Sequence, residues 1–134
     1  MDANAVGRSY PDSFGNYRLA EVTGANLAAT GDIATLVPQA ATKYIVRRVT
    51  LSNFSGAAAT SNVALYPAAG GSGTALANAQ VISAIDGATK FVDLTLSATA
   101  NATVYTASPL YLRLVANTAS VTCDVAVYGD IVTL

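Results

Sequence analysis

Six carboxylates in the body of the chain (Glu21, Asp32, Asp86, Asp93, Asp124 and Asp130), the thiol of Cys123 and seven tyrosines are the side chains with chemistry to offer. Two carboxyls a few ångströms apart, one protonated and one ionised, would suit glycoside hydrolysis. Most of the six, however, fall at turns or on outward strand positions, where acids cap turns or pair with arginine. Asp124 with Arg113, and Asp93 with Arg47 or Arg48, are the expected pairs. The chain has no histidine, which removes the usual general base, the base of serine and cysteine triads and the commonest metal ligand. Cys123 falls on the inward side of its strand and reads as a small core hydrophobe, not a nucleophile. Turn aspartates supply oxygen ligands of the kind calcium takes. No Asp-x-Asp-x-Asp cluster exists, so neither a metal nor any other cofactor is expected. Gly70-Gly71-Ser72-Gly73 lacks the Lys-Ser or Lys-Thr and the following helix of a phosphate loop, and reads as a flexible connection or loop tip. These absences argue against an enzyme.

Binding chemistry is better represented. Residues 1–16 are rich in turn formers and keep no period of 2 or 3.6, so they read as an extended N-terminal arm, with residues 17–134 forming the folded domain. Across that boundary Tyr10, Phe14 and Tyr17 interleave with Arg8 and Arg18, the residue types most enriched at interface anchors. These five are the candidate partner-binding residues. Tyr66, Tyr105, Tyr111 and Tyr128 can line one outer face. Without tryptophan they suit interface or edge packing better than a carbohydrate platform.

The elements that position these groups are strands. The longest run of β-branched and aromatic residues without Gly or Pro is 44–54. On strict alternation Ile45, Arg47, Val49, Leu51 and Asn53 share the core side, with Tyr44, Val46, Arg48, Thr50, Ser52 and Phe54 opposite. Arg47 must then snorkel or find a carboxylate, unless a bulge at Arg47-Arg48 resolves the conflict. Further strands are expected over 18–22, 33–37, 63–66, 80–85, 90–96, 103–106, 110–115 and 121–127. Gly129-Asp130 interrupts the last of these, and 131–134 resumes it. Asp86-Gly87 signals a hairpin between 80–85 and 90–96. Turn signals every 8–12 residues or so and no helical period predict an all-β, antiparallel β-sandwich.

Composition limits the partners. Charged residues make up 11% of the chain and the net charge is −1, so the field that steers nucleic acid or an anionic membrane is missing. Mean hydropathy is +0.43, but no run approaches the roughly 18 unbroken apolar residues of a spanning helix. The N-terminus lacks the basic and apolar regions of a secretory leader. One cysteine allows no intrachain disulfide. Outer faces so poor in charge suit a chain covered by copies of itself or by a larger assembly.

The phrases KYIVRRVTLSNFSGAAATSNVALYPAAGGSGTAL, ATKFVDLTL, SPLYLRLV and VAVYGDIV, spread over residues 43–132, resemble the head decoration, or cement, proteins of tailed bacteriophages. The resemblance implies a jelly-roll-like sandwich that assembles as a homotrimer on the outside of the capsid. It would be made in the host cytoplasm, clamp the major capsid protein and stabilise contacts between capsid subunits. The alternative is a tail or fibre component that binds host-surface glycans through exposed tyrosines and loops such as Gly70–Gly73.

Overall fold

The computed structural model describes residues 17–38, 43–106 and 109–132. Nine strands run through them: β1 (Tyr17–Asn26), β2 (Gly31–Leu36), β3 (Lys43–Ser52), β4 (Asn62–Tyr66), β5 (Ala77–Val81), β6 (Val92–Asp93), β7 (Tyr105–Thr106), β8 (Leu110–Ala116) and β9 (Thr122–Ile131). Two 3-10 turns, Ala69–Gly71 and Ala100–Ala102, are the only helical pieces among the described residues, and none of them contains a helix long and apolar enough to cross a membrane. The strands form two sheets, ordered β1-β9-β3-β6 with β7 added beside β3, and β2-β8-β4-β5. Every pairing is antiparallel. The chain is an antiparallel β-sandwich, as its alternating pattern predicts.

The pairings are nested. β4 pairs with β5, β3 with β6, β2 with β8 and β1 with β9, so the chain runs like one long hairpin whose two arms are wound together. Pairing of β9 with β3 and of β8 with β4 completes each sheet. Between the sheets lie Leu110, Leu112 and Leu114 of β8, Val63 and Leu65 of β4, Leu36 of β2, and Cys123, Val125 and Val127 of β9, each at most 1% exposed. Each such leucine or valine contributes roughly 1.5–3 kcal/mol of burial.

The β3 strand changes face half-way. Tyr44 and Val46 are buried in its first half, Val49 and Leu51 in its second, a switch that strict alternation forbids. The register explains it: Tyr128 of β9 stands opposite Arg48 and Gly129 opposite Val46, which leaves Arg47 as an extra residue. This is the β-bulge at Arg47-Arg48, and the uninterrupted core side Ile45, Arg47, Val49, Leu51 is corrected by it. Arg47 leans outward and its Nε donates to Asp130 Oδ2 at 2.9 Å. The neighbour on the other side of β9 bulges at nearly the same level, because Val127 faces Ala20 and Tyr128 faces Arg18, with Leu19 extra. Gly129 lies between the two bulges, so it continues β9 where the sequence suggests a break. A Cβ on it would lie 1.9 Å from the Ile45 carbonyl oxygen.

Three other expectations change. β1 runs on through Thr23-Gly24, where Gly24 adopts a φ of +73° in a further bulge whose N–H donates to Asp124 Oδ1 at 3.2 Å. The 80–96 hairpin does not form: β5 pairs with β4 in one sheet and β6 with β3 in the other. Asp86-Gly87 is therefore part of a crossing between sheets. Asp124 and Arg113 stand on strands of different sheets and do not pair.

Candidate interaction surface

On the outer face of the β1-β9-β3-β6 sheet, the register sets side chains from several strands in rows. Tyr128 is flanked by Arg18 on β1 and Arg48 on β3. In the next row Ala126 lies between Glu21 and Thr50, and Thr50 faces Asp93 of β6. Beyond them Asp124 faces Ser52, and Phe91, just before β6, is 60% exposed. The face therefore carries two arginines and a tyrosine, residue types enriched at interface anchors, beside Glu21, Asp93 and Asp124 and a floor of small residues.

Its charges hold one another in place. The Arg48 guanidinium carbon lies 5.7 Å from the centre of the Tyr128 ring, and Arg48 Nε lies 3.1 Å from Asp93 Oδ1. The Thr50 hydroxyl donates to the same oxygen at 2.5 Å. Burial pushes the Asp93 carboxyl up, but the bonds from Thr50 and Arg48 and the Arg48 charge outweigh it, so it titrates below its ordinary value. Arg18 and Glu21 pair at 3.2 Å. Solvent-exposed pairs of this kind contribute about 0–1 kcal/mol each, so they orient the arginines more than they stabilise the fold.

Of the five partner-binding candidates, Arg8, Tyr10 and Phe14 lie outside the described residues. Tyr17 opens β1 opposite Gly129, and Arg18 takes its place in the row beside Tyr128. Tyr17, the first described residue, is thus at the end of β1 where the arginines stand. The alternation of β9 already turns Tyr128 outward. Alternation about Val49 and Leu51 likewise turns Arg48 outward; what the bulge changes is Arg47, and the sequence signals that bulge through two adjacent arginines facing a strand that contains glycine.

The carboxylates are occupied. Asp93, Asp130, Asp32, Glu21 and Asp86 engage Arg48, Arg47, Arg113, Arg18 and Lys90 respectively. Asp124 accepts from the Gly24 amide and, at 3.0 Å, from Asn53 Nδ2. Asp93 is thereby held ionised, the opposite of what a general acid requires. Cys123 is 1% exposed; burial, then the adjacent Asp124 charge, pushes its thiol up to about 12, which leaves almost no thiolate at neutral pH.

The four tyrosines do not share a face. Tyr128 belongs to the first sheet, and Tyr105 stacks on buried Tyr44 with ring centres 5.8 Å apart. Tyr66 and Tyr111 stand opposite each other in the second sheet. Gly70–Gly73 is not a bare tip either: its first residues form the 3-10 turn, whose Gly70 amide donates to Asp32 at 2.9 Å.

Comparison with family models, with curated proteins and with solved structures finds no match. What the chain does must be read from its surfaces. The sheet edges are poor candidates for joining other chains: β1 is bulged twice, β2 has a register shift at Ile33, β5 is out of step with β4, and β6 and β7 are two residues long. Bulged and short edges resist strand addition.

Proposed function

We propose that the chain is a virion structural protein, a capsid decoration or cement protein that binds the outer surface of a tailed-phage head and stabilises contacts between major capsid subunits. The observation that carries this reading is the Arg18–Tyr128–Arg48 row, set beside Tyr17 at the start of β1. Four strands about 4.8 Å apart and three rows about 7 Å apart make a face on the order of 200 Å². A stable interface takes about 800 Å² from each partner, so the face needs a second contact, and Arg8, Tyr10 and Phe14 of the arm are its source. On a repeating shell, modest contacts gain through effective concentration. A homo-oligomer, with a trimer favoured, supplies several faces and arms at once. A jelly-roll winding fits the nested pairing of β1 with β9, β2 with β8, β3 with β6 and β4 with β5.

Deleting residues 2–16 is the test. The truncated chain should keep its β-sheet circular-dichroism spectrum and lose at least tenfold in binding to heads purified without this protein. Unchanged binding would discard the arm.

A further inference from the structure

The second sheet carries a different chemistry on its outer face. Tyr111 of β8 stands directly opposite Tyr66 of β4, with Thr35 of β2 on its other side. The flanking Leu36, Leu65, Leu110 and Leu112 point into the core, each at most 1% exposed, so the three polar side chains point away from it. Both tyrosines are partly exposed, and neither phenol hydroxyl has a hydrogen-bond partner among the described residues.

Two residues further along β8, Arg113 turns to the same side. Its Nη1 lies 3.1 Å from Asp32 Oδ1, while Asp32 Oδ2 accepts the Gly70 amide at 2.9 Å. Gly71 lies close against the Arg113 stem, where even a Cβ would come within 3.3 Å of Cδ and Nε. The pair is thus fixed from three sides and electrically neutral. Its side chains remain 33% and 24% exposed, with most of the five guanidinium donors and several carboxylate lone pairs unused.

We infer that this face binds neutral saccharides. A hexose has an apolar C–H side and a rim of hydroxyls that both donate and accept. The C–H side lies against the Tyr111 and Tyr66 rings. Adjacent hydroxyls reach the Asp32–Arg113 pair, about 6.7 Å further along the strand, where one group accepts and the other donates. Charge favours a neutral ligand, because an anionic sugar would have to displace Asp32 from Arg113. The face opposes the one assigned to capsid binding, so a shell-bound copy would present it outward, yet the inference does not depend on that assignment. Each site is shallow, and useful affinity requires several copies acting together.

The test is an array of neutral and of sialylated or sulfated glycans, probed with the full chain displayed multivalently. Neutral hexose or N-acetylhexosamine glycans should bind. Tyr111→Ala and Tyr66→Ala should each cut the signal at least tenfold, and Tyr128→Ala on the opposite face should leave it unchanged. Tyr111→Phe keeps the ring and the fold and should retain most of the signal. Absence of neutral hits, hits confined to acidic glycans, or a Tyr111→Ala signal equal to wild type in a folded protein would each overturn the inference. Head binding is read on the other sheet, so the two proposals fail separately.

Discussion

Gly129→Ala is expected to lower stability by more than about 4 kcal/mol, the range reserved for substitutions with a specific steric cause. The added methyl would lie 1.9 Å from the Ile45 carbonyl oxygen and 3.0 Å from both the Ile45 carbonyl carbon and Leu19 Cδ1. Two of these atoms are backbone of a neighbouring strand, and the third belongs to a fully buried side chain, so none can move aside cheaply. Relief would require β3 to separate from β9 at its bulge. Domains of this size are stable by about 5–15 kcal/mol, and each kcal/mol is worth roughly 3–5 °C in Tm. The variant should therefore melt more than about 12 °C lower or fail to fold. Gly87→Ala is the matched control: its Cβ would meet nothing within 4 Å, and its effect should stay within about 0.5 kcal/mol. Urea melts of both variants give the comparison. A loss below about 1 kcal/mol at Gly129 would mean that the strands do not approach as closely as described.

Arg47→Ala is expected to cost about 2–3 kcal/mol. The Asp130 side chain is only 11% exposed, and Arg47 Nε lies 2.9 Å from its Oδ2. Truncating the arginine takes a charged partner from a carboxylate in a poorly hydrated place, a change that costs roughly 3–5 kcal/mol when both partners are buried. Arg47 is 33% exposed, so water can partly replace it, and the figure is reduced accordingly. Asp130→Asn, which keeps the shape and removes the charge, should cost about 1 kcal/mol. In the double variant no carboxylate is left uncompensated, so the two losses should not add. A coupling of about 1–2 kcal/mol in urea melts of the two single variants and the double variant is the expected result. Strict additivity would show that the bulge is held by packing alone.

Both variants bear on the point where the sequence is hardest to read. Alternation in 110–115 and 121–127 is legible because Leu110, Leu112 and Leu114, and Cys123, Val125 and Val127, sit on inward positions with no interruption. β3 misleads because one extra residue reverses the phase, and nothing in a period of two says where a bulge falls. Two residues signal it: an arginine that strict alternation would bury, and a glycine in the middle of the facing strand. The 80–85 run shows the opposite error. Ile82 and Ile85 are both buried, but the Ile85 amide donates to the Ile82 carbonyl at 3.0 Å, and a spacing of three belongs to a turn. Pairings between distant strands are not written locally at all. Arg113 meets Asp32, 81 residues away, and Asp124 instead ties the Gly24 bulge to Asn53. The same non-local register assembles Arg18, Tyr128 and Arg48 into one row and parts Tyr128 from Tyr66 and Tyr111. Individual candidates could therefore be named from the sequence, but their grouping could not.

The most direct measurement is binding of the Arg48→Ala/Tyr128→Ala double variant to heads purified without this protein. Both side chains lie on the outer face, so circular dichroism and Tm should be close to wild type while binding falls at least tenfold. Wild-type binding by the folded variant would contradict the assignment of this face as the surface that meets the shell.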